Sequence, residues 1–264
     1  MPASVESYAA IGDSYSEGMG DERPDGTPRG WTDLVAAGLA HAAGGSIGYA
    51  NLAIRGRLLA LILDEQLPVA LALRPDLLSI NGGGNDILRP SVSIEAVADR
   101  LVSAAEQARA TGARVMIVSG ADPTRHLPLG AVFSRRGDAL AVAVEHRLRG
   151  TDVLFVDNWS DPHLPELRYW SVDRLHLNAR GHARAASNVL AALGVSIAAA
   201  PSAPSAPDAF GSPAEIADRE RPRTAEYWRR YVLPWIGRRL TGRSSGDHRK
   251  AKRATLEPFG PQHV

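Results

Sequence analysis

The sequence predicts an α/β protein, with a central parallel sheet of about five strands covered by helices on both faces. Three observations carry this. Short apolar runs alternate with longer stretches of helical periodicity throughout residues 1–197. No block is all strand or all helix, which is the pattern of strand–helix–strand units. Glycines and small polar residues gather just after the apolar runs, where the carboxyl-end loops of such a sheet hold ligands.

The elements follow in order. Ser7–Ile11 is an apolar run stopped by Gly12 and Asp13, and reads as the first strand. Trp31–Ala43 has helical spacing and ends at Gly44. Ile47–Leu52 is the second strand, and Gly56–Leu67 the second helix. Leu77–Asn81 is the third strand, ending at a run of three glycines. Ile94–Thr111 reads as a long helix ahead of Gly112. Val115–Ser119 and Val153–Val156 are the fourth and fifth strands, with a helix over Arg135–Leu148 between them. Ala179–Leu193 is the last helix of this unit.

Beyond it, residues 198–212 are rich in Pro, Ala and Ser and read as a linker. Residues 213–264 read as a basic, partly helical tail. Residues 199–264 carry 12 basic against 7 acidic side chains, so the net charge of +1 hides opposite charges on the two parts. Tyr227, Trp228, Tyr231, Val232 and Trp235 share one helical face, with Pro234 starting a second short helix. The expectation is an amphipathic helix docked on the main domain, followed by a disordered basic end. An anionic membrane surface is the next partner considered for this tail, and no nucleic acid is expected.

Composition removes several chemistries. With no cysteine there is no disulfide framework, thiol nucleophile or thiolate metal site. No segment has the length of a membrane span, and the N-terminal residues lack the basic start and apolar core of a secretory signal. The expected location is the cytoplasm.

The chemistry lies after the strands. Gly12-Asp13-Ser14 follows the first, Arg55-Gly56 the second, Gly83-Gly84-Asn85-Asp86 the third, and Asp173-Arg174-Leu175-His176 the fifth. A serine hydroxyl needs a base to take its proton, and histidine is the side chain tuned for that near neutral pH. The imidazole needs a partner to fix its tautomer, and Asp173 stands three residues before His176. A tetrahedral oxyanion needs donors. The N–H groups of Ser14 and Gly56 and the Asn85 amide are candidates, and glycine at 56 lets the backbone approach closely.

These blocks resemble the SGNH, or GDSL, hydrolase family. IGDSYSEG matches its serine block, NLAIRG its glycine block, GGND its asparagine block and DRLHLNARGH its histidine block. The resemblance spans roughly 11–182. It implies a flavodoxin-like three-layer α/β/α fold and hydrolysis of a small-molecule ester through an acyl-enzyme, by Ser14, His176 and Asp173 with an oxyanion hole from Ser14, Gly56 and Asn85. No metal or organic cofactor is implied. Acyl transfer at the same site, or ligand binding on an inactive hydrolase fold, are the alternative functions. Arg55 departs from the family's small residue before the glycine and is a candidate substrate contact.

Other residues read as structural. Gly44–Gly48 and Gly242–Gly246 match the Gly-x-Ser-x-Gly pattern, but Ser46 precedes a strand instead of ending one, and Ser244 lies in the tail. Asp13 is expected to hold its turn and Asp86 to buttress the third loop. Asp157 is a lesser candidate partner for the histidine. His126 and His163 lie in loops without metal-ligand spacing. His182 is expected on the surface, and Trp31 in the core or lining an acyl pocket.

Overall fold

A computed structural model describes residues 5–126, 130–195 and 246–264, with isolated positions at 225, 229 and 233. Its elements are β1 (Ser7–Ile11), α1 (Ser14–Glu17), α2 (Trp31–Ala42), β2 (Ile47–Asn51) and α3 (Leu59–Leu61). A π-helical turn over Ile62–Gln66 joins α3 to α4 (Leu67–Ala72). Then come β3 (Leu77–Ile80), α5 (Gly84–Ile87), α6 (Ile94–Arg109), β4 (Arg114–Val118), α7 (Gly130–Leu148), β5 (Leu154–Val156), α8 (Ala179–Ala192) and β6 (Arg253–Phe259).

The sheet order is β5-β4-β3-β1-β2-β6. The first five strands are parallel, and β6 runs antiparallel on β2. Side chains alternate across each strand, so each feeds two cores. Tyr8 and Ala10 of β1 and Met116 and Val118 of β4 pack with α2 and α8 on one face. Ala9, Ile11, Val115 and Ile117 pack with α3, α4, α6 and α7 on the other. This is the expected three-layer arrangement.

β1 is flanked by β2 on one side and β3 on the other. The chain therefore steps off β1 in one direction and later returns to its opposite edge. That reversal opens a crevice beyond the carboxyl ends of β1 and β3. The loops carrying Ser14 and Asn85 leave from those two ends.

The sheet has a sixth strand that the sequence does not announce. Arg253–Phe259, expected in a disordered basic end, is held as an edge strand. Its apolar anchor is Phe259, fully buried with its ring 5.0 Å from Tyr49 in an edge-to-face contact. The Arg253 guanidinium lies over the rings of Phe259 and Tyr49. The linker and the aromatic helix expected within 198–245 fall almost wholly outside the described residues. Among the described residues no helix is long and apolar enough to cross a membrane.

Candidate active site

The serine loop is shaped by a sharp exit from β1. Gly12 has φ of +158°, and a side chain there would meet Ser16 Oγ at 2.7 Å and the Asn81 carbonyl oxygen at 3.1 Å. Gln66 pins the same residue from the π-turn. Its Oε1 accepts from the Gly12 N–H at 2.8 Å and its Nε2 donates to the Gly12 carbonyl at 3.0 Å. Asp13 caps α1 by accepting from the Tyr15 N–H at 3.0 Å. Ser14 then opens α1, partly exposed.

Asn85 sits on α5, after β3. Its Nδ2 donates to Asp13 Oδ2 and to the Arg57 carbonyl, each at 3.1 Å. It therefore joins the serine loop to the loop carrying Gly56, which takes φ of +74° in a tight turn. Asp86 ties the third block to the same region by accepting from the Leu59 N–H at 2.9 Å. Burial pushes the Asp13 carboxyl up to about 6, against the pull of the Tyr15 N–H and the nearby His176.

The histidine loop is held by Asp173. Its Oδ1 accepts from Ser171 Oγ at 2.5 Å and from the N–H groups of Leu175 and His176 at 2.9 and 3.0 Å. Its Oδ2 lies 2.6 Å from His176 Nδ1. Arg174 adopts φ of +56° within this turn. Burial works against charge on both partners, but their mutual attraction outweighs it. The carboxyl is held far below its ordinary range and the imidazole is raised above its own. With Nδ1 facing the carboxylate, Nε2 is the nitrogen available to a reacting proton.

The structure thus brings Asp13, beside Ser14, together with Asn85 through a hydrogen bond and with His176 through an electrostatic interaction. Asp13 and Asp86 hold their loops as expected. Asp157 bonds Ser119 Oγ and the Trp159 N–H instead of a histidine. Two expectations are corrected. His182 is fully buried, because both ring nitrogens find backbone partners: Nδ1 the Trp31 N–H at 3.2 Å and Nε2 the Met19 carbonyl at 3.0 Å. Arg55 is turned to Glu17, not held out as a free substrate contact. Its Nη2 and Nε donate to Glu17 Oε1 at 2.6 and 2.9 Å, and its N–H to Oε2 at 2.6 Å. Trp31 is fully buried in the core. His126 is bonded in its loop to the Pro165 carbonyl, and His163 to Glu166.

A family model for the GDSL-like lipase/acylhydrolase family matches residues 10–184, which include all four blocks. The chain belongs to that family.

Ester hydrolysis is the general chemistry of such hydrolases. Solved structures repeat the fold. TesA is 26% identical and aligns over 70% of this chain and 97% of its own, with a TM-score of 0.55. A catalytic histidine-to-alanine mutant of Axe2, an acetylxylan esterase from Geobacillus stearothermophilus, is 19% identical over 76% of this chain and 100% of its own, with a TM-score of 0.61. The psychrotrophic esterase EstA from Pseudoalteromonas sp., inhibited by monoethylphosphonate, is 16% identical over 72% and 97%, with a TM-score of 0.56. A search of curated proteins found no match. The family match ends before α8 does, so it leaves out β6.

Proposed function

We propose that this hydrolase cleaves carboxylic esters through a covalent acyl-enzyme on Ser14. The observation that carries the reading is the Asp173–His176 contact of 2.6 Å, on a loop whose imidazole lies within electrostatic reach of Asp13, the neighbour of Ser14. His176 Nε2 takes the Ser14 proton as Oγ attacks the ester carbonyl. The oxyanion is held by the N–H groups of Ser14 and Gly56 and by the Asn85 amide. Asn85 is held at rest by Asp13 and Arg57 through bonds of 3.1 Å, and it exchanges one of them for the oxyanion.

Collapse of the intermediate passes the proton from His176 to the leaving alcohol. Water, deprotonated by His176, then attacks the acyl-enzyme, and the acid departs with Ser14 Oγ protonated again. The Axe2 catalytic mutants change a serine and a histidine, which agrees with these assignments.

A short-chain p-nitrophenyl ester assay on wild type and Ser14→Ala tests the proposal. Turnover by the wild type alone, with fluorophosphonate labelling at Ser14, is the expected result. Equal turnover by both proteins would overturn it.

A further inference from the structure

β6 runs antiparallel to β2, so the residues that lead into it lie at the carboxyl end of β2, beside the loop that carries Gly56. Gly246 is buried there. A methyl group on it would come within 2.0 Å of the Arg55 carbonyl oxygen, 3.2 Å of its carbon and 2.9 Å of Ile54 Cγ2. Only glycine fits against that carbonyl without moving it.

That carbonyl has a particular partner. The Arg55 C=O and the Gly56 N–H are the two ends of one planar peptide unit. Whatever sets the direction of the oxygen sets the direction of the N–H, which points the opposite way across a trans peptide. The other side of the same loop is fixed by Glu17, which accepts the Arg55 N–H at 2.6 Å. Glu17 lies one turn after Ser14 on α1. The segment bearing Gly246 is itself anchored. Lys252 Nζ lies 2.8 Å from Asp33 Oδ1 and donates to the carbonyls of Arg29 and Pro28 at 2.6 and 3.1 Å.

We infer that Gly246, placed by the Lys252 anchor and β6, is a positioning residue for the oxyanion hole: its backbone braces the Arg55–Gly56 peptide so that the Gly56 N–H faces the reacting carbonyl. This rests on the reading of Gly56 as an oxyanion donor. It makes residues outside the family match part of the catalytic unit. It also gives Glu17 and Gly246 adjoining duties, Glu17 on the Ile54–Arg55 peptide and Gly246 on the Arg55–Gly56 peptide that follows it.

The experiment compares full-length wild type, Gly246→Ala and Gly260→Ala. Gly260 lies at the far end of β6, where the three atoms nearest an added methyl all belong to the flexible Gln262 side chain. Active sites are counted by end-point fluorophosphonate labelling, and kcat and KM for a p-nitrophenyl ester are taken per labelled site. Gly246→Ala is expected to lower kcat by at least about tenfold, a fraction of the ~10²–10³ lost with a whole oxyanion donor. KM should stay within about twofold and the labelling rate should fall in step with kcat. Gly260→Ala should match wild type.

Wild-type kcat in Gly246→Ala would overturn the inference, and so would equal losses in both variants. If Gly246→Ala does not fold, Lys252→Arg loosens the same anchor with its charge retained. The same selective fall in kcat is then expected, and wild-type kcat overturns the inference. Failure of wild type itself to label or turn over would instead sink the hydrolase mechanism.

Discussion

Substituting Glu17 by glutamine should cost the hydrolase about 3 kcal/mol of stability. The Glu17 and Arg55 side chains are only 7% and 12% exposed, so solvent screens their attraction weakly. Four contacts join them: the Arg55 N–H to Oε2, Nε to both oxygens, and Nη2 to Oε1. An amide retains one oxygen. If that oxygen takes the Oε2 position, the backbone N–H and part of the Nε contact survive. The new NH2 group then faces Nη2, donor against donor, and the guanidinium loses its counter-charge.

Breaking one side of a buried pair costs ~3–5 kcal/mol, and the retained acceptor places this case near the lower end. For an ordered unit of this size each kcal/mol lowers Tm by roughly 2–4 °C, so a fall of about 6–12 °C is expected by thermal unfolding at pH 7. The same substitution should lower kcat, since the Arg55 N–H shares its loop with Gly56. A Tm within about 1 °C of wild type would refute the reasoning, because it would mean that the pair is hydrated and contributes like an exposed surface bridge.

Other outcomes follow from the same geometry. Because His176 must be neutral to act and its pKa is raised by Asp173, the acid limb of kcat/KM should lie above the ordinary histidine value of about 6.5. Asp173→Asn should move that limb to lower pH and cut kcat by roughly 10³–10⁴, and an unmoved limb would count against the pairing. The stability that the depressed Asp173 carboxyl contributes is present above its ordinary pKa and is lost on acidification, so wild type and Asp173→Asn should converge in denaturant midpoint at low pH. Asp13→Asn cannot both accept from the Tyr15 N–H and offer a second acceptor to Asn85, so steady-state kinetics should show a lower kcat at little changed KM. Phe259→Ala empties a fully buried position in the edge strand and should cost ~3–5 kcal/mol in urea unfolding; a silent change would mean that β6 adds little to the domain.

What the sequence reveals is local. The five parallel strands are legible because each is a short apolar run ended by a glycine or polar residue; the first has the expected bounds and the others differ by at most one residue at an end. The Asp173–His176 pair is legible because three residues of chain bring both ends together. β6 is not. It contains Arg253, Glu257 and Pro258, and what makes it a strand is β2, some two hundred residues earlier in the chain.

His182 is polar by composition and buried by its partners, which no local pattern displays. Arg55 was readable as an unusual residue before a glycine, but its destination depends on Glu17 on another element. The helix expected to stop at Leu67 continues to Ala72 past Pro68. The π-turn runs straight into α4, and its altered hydrogen-bond ladder accommodates Pro68, which has no N–H to donate.

That π-turn has a bearing on which changes of length the hydrolase can tolerate. A turn of this kind holds one residue more than an α-helix uses, and such turns recur at functional sites. Gln66 closes it and bonds both polar groups of the Gly12 backbone. Deleting any one residue of 62–65 would restore an ordinary helix at no cost to its own hydrogen bonding. It would also narrow the widened turn from which Gln66 reaches across to Gly12, putting both of those bonds at stake. The surplus residue is thus a spacer, whose dimension is set by the distance to the serine loop. Substitutions that preserve length should be accepted in this stretch far more readily than the loss of a single position.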